Sequence, residues 1–216
     1  VFKQGWALCL NSKMLALGLY LGIMFSVLTV FIGVWAHPFF ERAQHIDHFE
    51  AALLCSVMMM GVAIGLPITS FISQKIENIR PYLILAPLLC ALGFVWIIIH
   101  PAMPEIVLAV VLFVMGLIAS AFVITYPIVF NLAPIGGKSS YVGFANMLCM
   151  LTTPVMIFLI GYVIDQSLQV TRGAGAEISL VNYQVGMILY PLAMGLCAML
   201  AFSIPNEHRS SPALNA

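Results

Sequence analysis

Apolar residues run almost without interruption through six stretches of the chain, residues 14–36, 51–73, 81–99, 106–132, 141–164 and 183–204, with short polar connections between them. None of the six carries Asp, Glu, Lys or Arg in its interior. Each is long enough for the roughly 20 residues that an α-helix needs to cross the hydrocarbon core. Membrane β-strands would be about 10 residues long with alternating polarity, so continuous runs of this length predict helices. The fold class that follows is all-α, a polytopic membrane protein with six transmembrane helices.

Composition sharpens this reading. Hydrophobic residues make up 62% of the chain and charged residues 7%, against about 25% charged in soluble domains. The five cysteines, Cys9, Cys55, Cys90, Cys149 and Cys197, sit mostly inside apolar runs without CxxC spacing. They therefore read as small core residues rather than as disulfides or zinc ligands. His45 and His48 fit a solvated turn better than a metal site. No metal, cofactor or nucleic-acid partner is expected. The span interiors hold no histidine or carboxylate to pair with a nucleophile at membrane depth, which argues against an enzyme.

Charge sets orientation and domain limits. Six spans place both ends on one side, and Lys3, Lys13, Lys75, Arg80, Lys138 and Arg209 fall on that side against Arg42 and Arg172 on the other. The positive-inside rule then puts both termini in the cytoplasm. Residues 1–12, with Trp6 and two capping candidates in Asn11 and Ser12, read as an interfacial segment or the end of a linker. Residues 13–205 form the bundle and 206–216 a cytoplasmic tail. The first residue is Val1 rather than Met and no signal peptide is recognisable, so the chain reads as a piece of a longer protein. The longest polar connection is expected at 37–50, and 171–179 reads as a flexible loop in which Gly173 and Gly175 lack a phosphate-binding context.

Polar and small residues inside the spans mark where lipid is excluded. Gly18, Gly22, Ser26, Thr29 and Gly33 recur at three- or four-residue steps, a face for close helix packing. Gly61 and Gly65 repeat the pattern in the second span, followed by Pro67, where a break is expected. In the fourth, Ser120, Thr125, Tyr126 and Asn131 are costly to expose to lipid, and Pro127 frees a backbone carbonyl one turn earlier. Asn146, Met150 and Thr153 share a face of the fifth span. Tyr126, Asn146, Thr153 and Asn131 are therefore the candidates for solute contact, with helix-to-helix bonding the alternative for each asparagine.

The stretch from Gly61 to Leu85, "GVAIGLPITSFISQKIENIRPYLIL", resembles the span, short basic loop and span of the major facilitator superfamily. Ser73, Lys75 and Arg80 match that loop, while Gln74 stands where the family commonly has Asp and Glu77 where it has Gly. A second similarity runs from Val114 to Asp165 and resembles spans ten and eleven of bacterial members, with Pro134, Gly143, Asn146, Gly161 and Asp165 at matching places. Asn131 lies near a position that is acidic in many relatives.

The resemblance implies spans seven to twelve of a twelve-span transporter in a bacterial inner membrane or a plasma membrane, and the count and topology of the six spans fit a 3+3 inverted repeat. The implied function is alternating-access transport of a small organic solute, with Gln74, Lys75 and Arg80 at a cytoplasmic gate. Its partners would be the solute, the bilayer, and the missing N-terminal six-helix half or a second copy of this chain. Proton coupling, if present, would fall to the other half or to end residues such as Asp165. A six-span scaffold, receptor or oligomeric channel is the competing class.

Overall fold

A computed structural model describes residues 11–76, 78–134, 136–171 and 178–204. The opening segment with Lys3, Trp6 and Cys9, the loop residue Glu77, residues 172–177 with Arg172, Gly173, Gly175 and Glu177, and the tail with Arg209 lie outside the described residues.

Among the described residues, six helices are long and apolar enough to cross a membrane, and there is no strand. They are α1 (Ser12–Gln44), α2 (His48–Lys75), α3 (Arg80–Ile99), α4 (Glu105–Leu132), α5 (Lys138–Thr171) and α6 (Leu180–Ser203). The α2–α3 and α4–α5 connections share one end of the bundle with Lys13, Lys75, Arg80 and Lys138, here called the basic end. The opposite end carries Glu41, Asp47, Glu50, Glu105 and Asp165.

Capping explains several helix starts. Asn11 accepts backbone N–H bonds from Lys13 and Met14 at 3.1 and 3.4 Å, satisfying donors that the first turn leaves open. Asp47 and Glu50 form a reciprocal capping box at the start of α2. The turn before it is tight because His45 takes a left-handed conformation, φ 56°, a region where His is tolerated better than most residues.

Two expectations about the ends and breaks of helices are corrected. The polar connection expected at 37–50 is mostly helix: α1 runs on to Gln44 and only residues 45–47 separate it from α2. Phe39 and Phe40 are buried there, and Gln44 donates to the Pro101 carbonyl at 2.8 Å. Burial of two large rings and a satisfied amide hold the extension that Pro38 and the nearby charges argued against. Pro67 likewise does not break α2, which continues to Lys75. Membrane helices accommodate proline where neighbouring groups and small backbone adjustments absorb the lost hydrogen bond.

Packing follows the glycines. A Cβ on Gly61 would strike the Phe113 carbonyl, and one on Gly116 would strike the Met58 carbonyl, so α2 and α4 cross with their backbones in contact. Gly18 and Gly22 let α1 close on α5, where a Cβ would strike the side chains of Leu148 and Thr152. These two crossings are the most extensive in the bundle, and α3 against α6 comes next. An exchange of α1 with α4, α2 with α5 and α3 with α6 turns the first crossing into the second and leaves the third as it is. This is the pattern of a 3+3 repeat.

An aromatic cluster seals the middle of the bundle. Phe94 stacks on Tyr190 at 4.4 Å between ring centroids, and Phe31 meets both edge-on at 5.0 and 5.6 Å. Aromatic pairs favour such offset and edge-to-face arrangements. Cys55, Cys90, Cys149 and Cys197 are all buried and unlinked, within the spans.

Candidate functional site

The site is built where α1, α4 and α5 meet, and two of these helices are irregular there. α1 widens into π-helical geometry over Val27–Trp35, and α4 tightens into a 3-10 stretch over Ser120–Ile124. Departures of this kind inside long helices are frequent at functional sites. In α4 the cause is visible: Pro127 has no N–H to return to the Val123 carbonyl, and Thr125 turns its hydroxyl to the Phe122 carbonyl at 2.7 Å.

The polar side chains of the fourth and fifth spans find one another. Tyr126 Oη donates to Asn146 Oδ1 at 2.9 Å, joining α4 to α5. Seven residues further along α5, Thr153 lies 3.1 Å from Thr29 on α1, hydroxyl to hydroxyl. Thr29 in turn donates to the Phe25 carbonyl at 3.4 Å. All four of these side chains are half-buried, and Met150 between them on α5 is 55% exposed. Phe25 and Phe122 meet edge-on at 5.2 Å, closing the gap between α1 and α4 at intermediate depth.

Asn131 is not brought into this group. It sits exposed near the basic end of α4. Ser120 and Thr125, flagged with it as costly toward lipid, are fully buried. Ser120 bonds Thr69 of α2 at 2.7 Å, and Thr69 reaches Tyr82 of α3 at 3.2 Å, so this network fastens helices rather than lining an open face.

The loop residues separate in a similar way. Arg80 donates through Nη2 to the Ile204 carbonyl at 2.9 Å, tying the start of α3 to the end of α6. A cation at a helix C-terminus also complements the helix dipole. Lys75 lies over the ring of Phe71 on its own helix, 4.2 Å from the centroid, and Gln74 is exposed. At the opposite end His48 pairs with Glu41 at 2.7 Å, and no metal-holding cluster of His, Cys, Asp and Glu occurs among the described residues.

Thr29 is the residue whose role sequence reasoning missed. It stood among the small residues of the packing stripe, and only Gly18 and Gly22 of that stripe make the close crossing with α5. A signal was present in its residue type: with Ser26, Thr29 is one of two polar members of the stripe in the central part of the span.

Six apolar helices paired by an internal exchange, with uncharged polar groups gathered between three of them, define a polytopic membrane protein of the transporter class. The chain matches the family model described as the Major Facilitator Superfamily over residues 1–155, and it belongs to that family. The match takes in α1 to α4 and the part of α5 that holds Asn146 and Thr153. Members of this family are transporters rather than enzymes. A search among curated proteins finds no match.

Proposed function

We propose that these six spans are the C-terminal half of a secondary active transporter, which moves a small organic solute by alternating access in an inner or plasma membrane. The observation that carries this reading is the pair of polar contacts, Tyr126 with Asn146 and Thr29 with Thr153, held half-buried where α1, α4 and α5 meet. Polar groups within a membrane bundle are costly unless they face protein or a water-filled path. The internal exchange of helices supports a half-transporter, since such repeats place the solute at their interface and rock about it.

The complementary N-terminal six-helix half would close the open edge of this seam. The basic end would face the cytoplasm, because Lys13, Lys75, Arg80 and Lys138 lie there against Arg42 at the other end among the described residues. Arg80 would act at that end by holding α3 to α6, so that the two helices move together between states. Lys75 and Gln74 would contribute to the gate from the exposed end of α2.

The test is uptake by the full-length protein carrying Tyr126→Ala and Asn146→Ala together. The expected result is loss of most uptake at unchanged membrane abundance. Undiminished uptake would remove the seam from the solute path.

A further inference from the structure

Resting on that reading, we propose that the solute is uncharged and has polar groups at both ends of an apolar or aromatic middle. The seam has two polar tiers with an apolar wall between them. At the tier nearer the basic end, Asn146 accepts the Tyr126 hydroxyl through Oδ1. Its Nδ2 is left to donate to an oxygen of the solute. At the deeper tier, either hydroxyl of the Thr29–Thr153 pair can be the donor; with Thr29 donating to the Phe25 carbonyl at 3.4 Å, Thr153 donates to Thr29. The Thr153 oxygen then keeps its lone pairs for a solute O–H or N–H.

The two open groups, a donor and an acceptor, stand two helical turns apart on one face of α5, about 10 Å along the axis. Between them the wall is apolar. Met150 projects from α5 at 55% exposure, and the Phe25 and Phe122 rings bridge α1 and α4. Phe25 lies one turn from Thr29 and Phe122 one turn from Tyr126, which puts the rings between the tiers.

Charge argues in the same direction. A buried ion is tolerated when it is paired and hydrogen-bonded, and the groups of the seam are two hydroxyl-bearing threonines, a phenol and a carboxamide, all neutral. A solute carboxylate or ammonium set at either tier would meet no opposite charge among the described residues of the seam. Hydroxyl, ether and amide groups would each find a partner of fitting polarity, and a ring or short alkyl segment would lie against Met150 and the phenylalanines.

The experiment uses the full-length protein in proteoliposomes and three labelled probes that differ at one end: 4-hydroxyphenyl, 4-carboxyphenyl and 4-(aminomethyl)phenyl β-glucoside. The neutral phenol is expected to enter at least about tenfold faster than either charged analogue. Asn146→Asp removes the donor and adds a negative charge, and should shift preference toward the aminomethyl probe. Thr153→Val should slow the phenol about fivefold, and Thr153→Ser should restore it. The serine rescue separates loss of the acceptor from loss of packing.

Faster entry of a charged probe, or selectivity unmoved by both Asn146→Asp and Thr153→Val, overturns the solute class while transport itself stands. If none of the three enters, the class is again overturned. Uptake assays with amino acids, peptides, sugars and organic acids then judge the transporter reading separately, and failure of every one of them overturns that as well.

Discussion

The two flanks of α5 differ sharply in polarity. Cys149, Met156 and Ile160 form a buried strip against the rest of the protein. On one side of the strip, Asn146 and Thr153 meet Tyr126 and Thr29. On the other, Leu151, Val155 and Leu159 line an apolar cleft of about 420 Å³, floored by Leu19 and Ile23 of α1 and walled by Leu189, Leu192 and Leu196 of α6. The cleft exists because α5 and α6 touch mainly near one end, where a Cβ on Gly186 would strike Ile164 and Asn182 donates to Ser167 at 3.0 Å. Toward the basic end the two helices make little contact.

The difference teaches what a membrane helix uses polarity for. An apolar wall carries no donor or acceptor and so needs no hydrogen-bonding partner. A hydroxyl or amide must be satisfied, so the polar flank is drawn into defined contacts with α1 and α4. One helix thereby supplies a directional face and an indifferent one.

The strongest way to break the comparison is to part α1 from α5, since both flanks depend on that crossing. Gly22→Leu should do so: even a Cβ there would collide with Thr152 and come within 3.1 Å of the Cys149 backbone. Overpacking of this kind costs about 1–3 kcal/mol, and here the obstruction includes main chain. Thermal unfolding in detergent should shift down by several degrees, and uptake should be lost. A variant with wild-type stability and uptake would show that the two flanks do not share this support.

Next in size is Tyr126→Phe, which removes one hydroxyl from the polar flank and leaves the ring. The half-buried Asn146 carbonyl then loses its donor, a loss at the lower end of the roughly 1–3 kcal/mol that an unsatisfied buried acceptor costs. Uptake is expected to fall about tenfold, with the thermal midpoint changed by only a few degrees. A large loss of stability with normal uptake in the surviving protein would make the contact a structural clamp.

Much of this arrangement was legible in the sequence, and the reasons are physical. Length and apolarity specify six spans because lipid admits few alternatives. Tyr126, Asn146 and Thr153 stood out because their polar groups need partners at membrane depth. The α1 segment was harder to read. Its π-helical stretch lies over Val27–Trp35, in an apolar run that contains no proline and so carries no visible mark of the widening. The continuation of α1 to Gln44 was hidden for a related reason: a proline and several charges look like a loop until burial of Phe39 and Phe40 outweighs them. Asn131 differs from Tyr126, Asn146 and Thr153 in position, since proximity to the end of its helix allows an exposure that a residue deeper in the span would not have.

The smallest expected effect sharpens the comparison from its apolar side. Val155→Thr places one hydroxyl on the cleft flank, two residues from Thr153 and so on a different face of the same helix. The new group can bond the Leu151 carbonyl within its own helix, as Thr152 bonds Leu148 at 2.9 Å, so it asks nothing of α1 or α6. Uptake should stay within about twofold of wild type and the thermal midpoint within a degree or two. Thr153→Val, the reverse exchange of hydroxyl and methyl two positions away, is expected to impair uptake about fivefold. Equal effects from the two exchanges would mean that transport senses the polarity of α5 as a whole. An effect confined to position 153 would assign that sensitivity to the face it shares with Thr29.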